Sequence, residues 1–283
     1  MVDRVRITVL VDDSENPNKP GLLNRHGLAV LVQAKTGARQ VSVLMDTGPS
    51  DAIVQNARRL GVSWDDIDAI VLSHGHYDHT GGLLHVLREI HRQVPVVAHP
   101  RAFYPKFSTR PKLRFIGTAF APSEVSAAGG VPVLIRNSLT IAEGVFTTGE
   151  IERTESSRET EGFWTVDNGE FVRDGIPDDQ ALLADVNGKG IAVITGCCHS
   201  GVVNTLRHVG NMTGRDRLHA VLGGLHLRDA DDGMIRASVQ ELLGMDIELL
   251  GPCHCTGSRA ISQMMETLGE RCRPLKVGDS IQL

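Results

Sequence analysis

The chain has 283 residues, of which 41% are hydrophobic and 22% are charged, and its formal net charge is −5. A chain of this length and apolar content can bury a large core, either as one α/β domain or as two small ones. The acidic balance, the lack of Lys/Arg-rich runs and an aromatic content of only 4% argue against a nucleic-acid partner.

The sequence also predicts a cytoplasmic protein without a membrane span. No apolar stretch approaches the roughly 20 residues that a transmembrane helix needs. The N-terminal residues 1–6 lack the basic-then-apolar layout of a signal peptide. The five cysteines, an odd number in a chain of this length, argue against a secreted disulfide framework.

Apolar runs of strand length alternate with amphipathic helical patterns along the chain. The predicted strands cover residues 5–11, 28–33, 41–45, 69–72, 95–98, 131–134, 144–148, 180–185, 191–195, 220–222 and 247–250. The predicted helices cover residues 51–60, 82–91, 202–211, 232–243 and 258–268. Strands dominate the first half while helices interleave throughout, which indicates two sheets facing one another with helices on their outer faces.

Two segments, residues 101–130 and 150–177, interrupt this pattern and are rich in proline, aromatic and charged residues. Long irregular insertions in a compact fold are usually lids over a site or ordinary surface loops. We predict that both are lid-like insertions in a single domain spanning residues 1–283, with solvated loops as the alternative.

The most informative motif lies between a predicted buried strand and a predicted helix, in residues 73–82. It places His74, His76, Asp78 and His79 within six residues. A strand-to-helix loop allows these side chains to lie close together. His74 and His76 can then project toward one metal ion, and Asp78 and His79 can reach a second. Neutral imidazole and carboxylate at this density are typical ligands of Zn²⁺ or a similar transition ion.

The spacing His74-x-His76-x-Asp78-His79 resembles the signature of the metallo-β-lactamase superfamily of metal-dependent hydrolases. Segments similar to other parts of that family occur in the same order at residues 44–48, 193–201 and 250–257. Their form is most similar to a subgroup labelled 7,8-dihydropterin-6-methyl-4-(β-D-ribofuranosyl)aminobenzene-5'-phosphate synthase, which implies a link to methanopterin chemistry. The resemblance implies an αββα sandwich of two mixed β-sheets flanked by helices.

The resemblance also implies a dinuclear site with two divalent transition-metal ions, zinc being favoured and manganese or iron the alternatives. The first ion would be held by His74, His76 and His199. The second ion would be held by Asp78, His79 and His254. Both downstream histidines follow predicted strands, and strand-end loops on one rim of a sheet pair can meet.

The chain departs from the family pattern at Cys197. Many members of the superfamily carry a bridging aspartate after the strand that here ends in Thr195-Gly196. Either the Cys197 thiolate binds metal, or no protein side chain bridges the two ions. The cysteines on either side of His254 are favoured as small buried residues lining a tight loop, with a soft-metal site as the alternative.

Four further residues are candidates for supporting roles. Asp78 is predicted to orient the nucleophilic hydroxide as well as to bind metal. His226 follows a strand and two glycines, so it can contact substrate or protonate a leaving group, unless it is a structural histidine. Asp46 is expected to accept the second N–H of a ligand histidine, or else to be a turn residue. His26 can reach the mouth of the pocket.

The sequence therefore favours a metal-dependent hydrolase that uses a metal-bound hydroxide on a small anionic substrate, phosphorylated or pterin-like. The anionic character follows from five basic residues in a stretch without acids: Arg101, Lys106, Arg110, Lys112 and Arg114. The alternatives are a synthase of the pterin or methanopterin pathway and a non-catalytic metal or ligand sensor on the same fold.

Overall fold

The structure is a computed structural model that describes residues 1–153, 162–215 and 217–283. The strands are β1 (Arg4–Val11), β2 (Ala29–Thr36), β3 (Arg39–Met45), β4 (Ala69–Val71), β5 (Val94–Ala98), β6 (Lys106–Ser108), β7 (Arg114–Phe115), β8 (Gly130–Leu134), β9 (Thr140–Ala142), β10 (Val145–Thr147), β11 (Phe163–Asp167), β12 (Glu170–Arg173), β13 (Leu182–Val186), β14 (Gly190–Thr195), β15 (Leu218–Gly224), β16 (Ile247–Cys253) and β17 (Ser280–Gln282). The helices are α1 (Ala52–Leu60), α2 (Tyr77–Thr80), α3 (Leu83–Glu89), α4 (Pro122–Ala127), α5 (Val202–Thr213), α6 (Asp232–Gly244) and α7 (Ser258–Leu268). Short 3-10 turns lie at Trp64–Asp66, Pro100–Phe103, His254–Thr256 and Gly269–Arg271.

Two mixed sheets form the centre of the molecule. The first has the strand order β17-β1-β2-β3-β4-β5-β8, and the second has the order β16-β15-β14-β13-β10-β9. In the first sheet β3, β4, β5 and β8 run parallel, and in the second β14, β15 and β16 run parallel. The carboxyl ends of these parallel strands therefore bring their following loops to one edge of each sheet.

Three buried apolar layers account for the αββα order. The central layer joins the facing sides of the two sheets, with Ile7 and Val43 packing in the same cluster as Leu182 and Ile194. The outer layers bury the other side of the first sheet under α1, α3 and α4 and that of the second under α5, α6 and α7. The predicted sandwich of two mixed sheets flanked by helices is confirmed.

Strand β14 illustrates why the sequence folds in this way. Its residues are buried without exception, because alternate side chains face the central layer and the layer under the helices. Ala192 and Ile194 belong to the first of these clusters, and Ile191 and Val193 belong to the second. A strand covered on both faces reads as a continuous apolar run rather than as an alternation. Among the described residues, no helix combines the length and the hydropathy that crossing a bilayer requires.

The insertions differ from the prediction in one respect. Residues 101–130 and 150–177, expected to be irregular, contribute the four strands of a third sheet with the order β12-β11-β6-β7. Its strands have only two to five residues, too few for a periodic signal in the sequence. Cross-strand aromatic pairs, Trp164 with Phe107 and Phe107 with Phe115, hold them together. Residues 154–161 of the second insertion lie outside the described residues.

Candidate metal centre

All of the predicted site residues follow strands of the two large sheets. His74 and His76 lie in the loop after β4, and Asp78 and His79 form part of the following helix α2. His199 follows β14, His226 follows β15, and His254 follows β16 directly. The loops meet because the parallel strands end at the same rim, as the sequence predicted.

The backbone at this rim is held in an unusual conformation. Asp46, Cys198, His226 and His254 have φ values of 60°, 61°, 50° and 49°, and each follows the end of one strand within a few residues. Residues other than glycine adopt this left-handed region at a cost of about 1–3 kcal/mol, which the surrounding structure must supply. Such residues are enriched at functional sites, so four of them at one rim support this rim as the candidate site.

The first cluster consists of His74, His76 and His199. The Nε2 atom of His74 lies 2.9 Å from Nδ1 of His76 and 3.2 Å from Nε2 of His199. Nitrogen ligands about 2.0–2.1 Å from a tetrahedral zinc ion lie about 3.3 Å from each other, so these separations suit a single ion. Two ring nitrogens, His76 Nε2 and His199 Nδ1, are buried without a hydrogen-bond partner among the described residues.

The electrostatic setting keeps these three rings neutral. Burial, together with the neighbouring imidazoles, lowers the pKa of His74 and that of His199 well below the ordinary value. Burial and the positive charge of Lys106 lower the pKa of His76 to about 3. A histidine binds metal through the lone pair of its neutral ring, so the cluster holds its rings in the ligating form near pH 7.

The second cluster consists of Asp78, His79, Cys197 and His254. The Nε2 atoms of His79 and His254 are 3.2 Å apart, and the Sγ atom of Cys197 lies 3.1 Å from the first and 3.4 Å from the second. The Oδ2 atom of Asp78 is 3.7 Å from His79 Nε2 and 3.6 Å from His254 Nε2. The four atoms all lie within 4.8 Å of one another, and these five separations are close to the edge lengths of a tetrahedral metal site.

This geometry brings Cys197 among the predicted ligands of the second ion. Burial raises the pKa of the Cys197 thiol well above its usual range, so the thiolate form requires a cation beside it. The distances place the Cys197 sulfur with the second cluster, and the same sulfur also lies within 4.8 Å of ring nitrogens of His199 and His226. The two clusters are adjacent, because the ring centroids of His74 in the first and His79 in the second are 4.3 Å apart.

Asp46 organises the rings of both clusters. Its Oδ2 atom accepts a hydrogen bond from His79 Nδ1 at 2.7 Å and one from the Ser73 hydroxyl at 2.6 Å, and its Oδ1 atom accepts from the Ser73 amide. The Ser73 hydroxyl in turn lies 2.9 Å from His74 Nδ1. These contacts leave the Nε2 atoms of His74 and His79 directed into the clusters, so the expected contact of Asp46 with a predicted ligand histidine is confirmed.

Asp46 also sets the charge of His79. Burial alone would lower the pKa of His79, but the nearby carboxylates of Asp46 and Asp78 raise it to about 9. In the protein without a metal ion, His79 therefore carries a proton that a bound cation must displace. The absence of a side chain at Gly196 leaves room for the contact between Asp46 and Ser73, because a Cβ atom at Gly196 would collide with the Ser73 hydroxyl.

Asp13 contacts the Nδ1 atom of His254 as Asp46 contacts that of His79, and this contact was not predicted from the sequence. Asp13 Oδ1 accepts from His254 Nδ1 at 2.6 Å, while its Oδ2 contacts His26 Nδ1 at 2.9 Å and an Arg228 nitrogen at 2.6 Å. His26 Nε2 lies 3.4 Å from Asp78 Oδ2, so the half-exposed His26 reaches the edge of the site. Two consecutive aspartates directly after the apolar run of β1 were the available signal.

His226 and Phe163 lie beside the first cluster. The His226 ring is 4.2 Å from that of His199, centroid to centroid. Phe163, the first residue of β11 in the third sheet, lies 5.2 Å from the His76 ring and 5.4 Å from the His199 ring. The third sheet therefore places an aromatic side chain against two predicted ligands.

The basic stretch between Arg101 and Arg114 is only partly available to a substrate, which corrects the sequence argument. The Lys106 side chain is 1% exposed and pairs with Asp174 at 2.8 Å and Asp178 at 2.7 Å. Arg101 pairs with Asp167 at 2.8 Å. These acids come from distant parts of the chain, so the sequence of the stretch alone did not reveal the pairing. Arg110, Lys112 and Arg114 are exposed.

The profile of the metallo-beta-lactamase superfamily matches residues 24–169. One relative, the 7,8-dihydropterin-6-methyl-4-(beta-D-ribofuranosyl)-aminobenzene-5'-phosphate synthase of Methanocaldococcus jannaschii, is 33% identical over 288 residues, which cover 99% of this chain and 97% of the relative. The chain belongs to the metallo-β-lactamase superfamily. The resemblance inferred from the histidine motif is thereby confirmed.

Further comparisons concern a second relative by sequence and two solved structures with a similar fold. An uncharacterized protein of Methanocaldococcus jannaschii is 30% identical over 260 residues, covering 92% of this chain and 94% of the relative. A crystal structure of a protein described as a metal-dependent hydrolase of the β-lactamase superfamily has a TM-score of 0.83 at 30% identity and covers 99% of both chains. Zn²⁺-bound PqqB from Methylobacterium extorquens shares the fold, with a TM-score of 0.58 at 14% identity over 98% of this chain and 100% of PqqB.

Proposed function

We propose that this metallo-β-lactamase superfamily member is a metal-dependent hydrolase of a small anionic substrate, phosphorylated or pterin-like. The observation that carries the proposal is the pair of adjacent buried clusters at one rim, one of three histidines and one of Asp78, His79, Cys197 and His254. Imidazole, carboxylate and thiolate in tetrahedral arrangement suit zinc, with manganese or iron as alternatives. When bound there, two divalent ions would lower the pKa of a water and polarise a phosphoryl or carbonyl oxygen.

The protein's part is to hold its ligands in place before substrate arrives. Asp46 and Asp13 fix the ring orientation of His79 and His254, at 2.7 Å and 2.6 Å from their Nδ1 atoms. Asp78, which at 7% is the most exposed member of the second cluster, is assigned a second role, the orientation of the attacking water. Outer contacts of this kind raise metal affinity and activity by 10- to 100-fold.

His226 is assigned the role of proton donor to the leaving group. It lies beside His199, with 4.2 Å between ring centroids, and a ring nitrogen of His226 lies within 4.8 Å of the Cys197 sulfur. The Phe163 ring lies 6.2 Å from the His226 ring, centroid to centroid. A positioned general acid contributes about 10²–10⁴-fold to a rate, so the loss of His226 should be measurable as a fall in turnover.

The substrate is proposed to be anionic because the end of the exposed basic stretch lies near Tyr77, the residue before Asp78. Tyr77, 40% exposed, precedes Asp78, and its amide donates to the carbonyl of Ile116 at 2.9 Å, which ties α2 to the exposed basic stretch. Burial and the charge of Asp78 raise the pKa of the Tyr77 hydroxyl, and the positive charge of Arg114 partly opposes this rise. We infer that Arg114, and Lys112 two residues before it, meet the phosphate or carboxylate of a substrate that approaches Asp78.

The direct test is turnover by the metal-loaded protein on phosphomonoesters, phosphodiesters and carboxylic esters, with and without a chelator. The proposal expects turnover of at least one anionic ester that the chelator abolishes and zinc restores. The exposed His91→Ala variant is the matched control for His226→Ala. A protein that binds metal and turns over no ester contradicts the hydrolase and favours a metal or ligand sensor.

A second candidate is a synthase of the pterin pathway. It is supported by the 33% identity to the synthase of Methanocaldococcus jannaschii along nearly the whole of both chains. The discriminating measurement is mass-spectrometric detection of the product that the name of that relative specifies, after incubation with the corresponding pterin and ribofuranosylaminobenzene phosphate. Formation of this product, without ester hydrolysis, would replace the hydrolase proposal.

A further inference from the structure

Three consecutive buried residues, Asp178, Asp179 and Gln180, make hydrogen bonds to the backbone of two different loops. Asp178 Oδ2 accepts from the Gly75 amide at 2.7 Å, and Asp179 Oδ2 accepts from the Ser200 amide at 2.7 Å. The Gln180 side chain donates to the Leu72 carbonyl at 2.9 Å, and the Gln180 amide donates to the Ser73 carbonyl at 2.9 Å. We refer to residues 178–180 as the brace.

The two loops carry the two halves of the first cluster. Gly75 lies between His74 and His76, in the loop after β4 of the first large sheet. Ser200 follows His199, in the loop after β14 of the second large sheet. The 3.2 Å separation of the His74 and His199 Nε2 atoms therefore depends on how the loops of two separate sheets are placed relative to each other.

The brace is rigid because its own polar groups are satisfied. Asp178, whose side chain is fully buried, uses its second oxygen to pair with the Lys106 ammonium at 2.7 Å. Lys106 also pairs with Asp174 at 2.8 Å, whose other oxygen accepts from the Ile176 amide at 2.7 Å. A buried carboxylate that is paired and hydrogen-bonded in this way has few alternative positions.

The loop after β4 also packs closely against a second element, on the side away from the brace. Gly75 lies against the carbonyl of Ala102, where a Cβ atom would collide. The loop is therefore confined between the 3-10 turn at Pro100–Phe103 and the brace. Gly75 is required here because a larger residue could not approach the turn so closely.

We propose that the brace positions the first metal cluster, with Asp178 acting through the Gly75 amide on His74 and His76, and Asp179 acting through the Ser200 amide on His199. These are positioning residues that touch neither metal nor substrate. This inference rests on the proposed metal centre, since it concerns the affinity of the site that the proposed function requires. It also explains why two carboxylates and an amide are buried immediately before β13.

The test compares zinc and cobalt affinity of Asp179→Ala, Asp179→Asn and wild type by competition with a chromophoric chelator. We expect Asp179→Ala to weaken the first site by about 10- to 100-fold, as for other outer contacts of metal ligands, and to leave the second site unchanged. Asparagine keeps an acceptor for the Ser200 amide, so Asp179→Asn is expected to recover most of the affinity. Asp185→Ala, in β13 but paired with surface Arg215 at 3.3 Å, is the matched control.

A second readout separates the brace from general destabilisation. Hydrogen exchange of the Ser200 amide should accelerate in Asp179→Ala and that of the Gly75 amide in Asp178→Ala, each without the other. If Asp179→Ala does not fold, Asp179→Leu, which also removes the acceptor but fills the buried volume, carries the measurement. An unchanged first site in the folded alanine or leucine variants, or equal weakening of both sites, overturns the inference. A wild-type protein without a first site contradicts the proposed function instead.

Discussion

Removal of the Asp13 carboxylate should weaken the second metal site selectively. Asp13 Oδ1 lies 2.6 Å from His254 Nδ1, and the Asp13 side chain is 22% exposed, so the contact is largely shielded from water. Although burial opposes it, the hydrogen bonds from His254 and His26 hold the pKa of Asp13 well below its usual range. Asp13 therefore provides a full negative charge to the ring that ligates through its other nitrogen.

The expected loss of metal affinity follows from the contacts that His254 keeps when the Asp13 carboxylate is removed. The backbone of His254 keeps its hydrogen bonds to Arg228 and Asp12, each 2.8 Å long, so the main chain stays in place and only the ring loses its orienting partner. Loss of such a partner costs about 10- to 100-fold in metal affinity. This corresponds to about 1.4–2.8 kcal/mol, at 1.4 kcal/mol for each factor of ten.

The assay is a chelator competition titration that resolves two binding steps in wild type. Asp13→Ala should shift the step of the second site by 10- to 100-fold and leave the step of the first site in place. Asp13→Asn should have a smaller effect, because its amide oxygen still accepts from His254 Nδ1 without the charge. Asp65→Ala removes an exposed aspartate 3.6 Å from exposed His91 and should change neither step. Equal shifts of both steps, or no shift, would refute the reasoning.

Three other expectations concern single groups. Cys197→Ser should keep at least one ion per chain by elemental analysis, because three imidazoles hold the first site; loss of all metal would make the thiolate a primary ligand of both. His226→Ala should lower turnover and leave metal content intact, as for a proton donor; loss of metal would reassign it as a ligand. In the metal-free protein, the free energy of unfolding should fall as the pH drops from about 6.5 towards 3. The reason is that His76 has a pKa of about 3 in the folded protein and 6.5 as an ordinary histidine, so the unfolded chain binds the proton first. The free energy of unfolding, measured by denaturant titration at several pH values, should depend less steeply on pH in His76→Asn than in wild type, and an identical pH dependence would contradict this expectation.

The sequence was sufficient for the parts of the site that local patterns encode. His74, His76, Asp78 and His79 lie in one strand-to-helix loop, so a single segment revealed four neighbours in space. His199 and His254 could be added because each follows an apolar run, and parallel strands end at a common rim. The layered fold could be predicted for the same reason, since its long strands and helices have clear periodicity.

The residues that support the ligands could not be found in this way. Asp13 meets His254 across 241 positions of sequence, and Asp178 meets Gly75 across 103. An aspartate that accepts one hydrogen bond has no neighbouring residues that distinguish it from a surface aspartate or a turn residue. Lys106 misled the charge argument for the same reason, because its partners Asp174 and Asp178 lie 68 and 72 positions away in the sequence.

The central claim is that two adjacent clusters bind one ion each, and metal stoichiometry tests it most directly. Elemental analysis of the zinc-loaded wild type is expected to give two ions per chain. The His199→Ala and His76→Ala variants, which each lose one ligand of the first cluster, are expected to retain the ion of the second. Unchanged metal content in both variants, or a wild-type chain that retains no ion after gel filtration, would contradict the account.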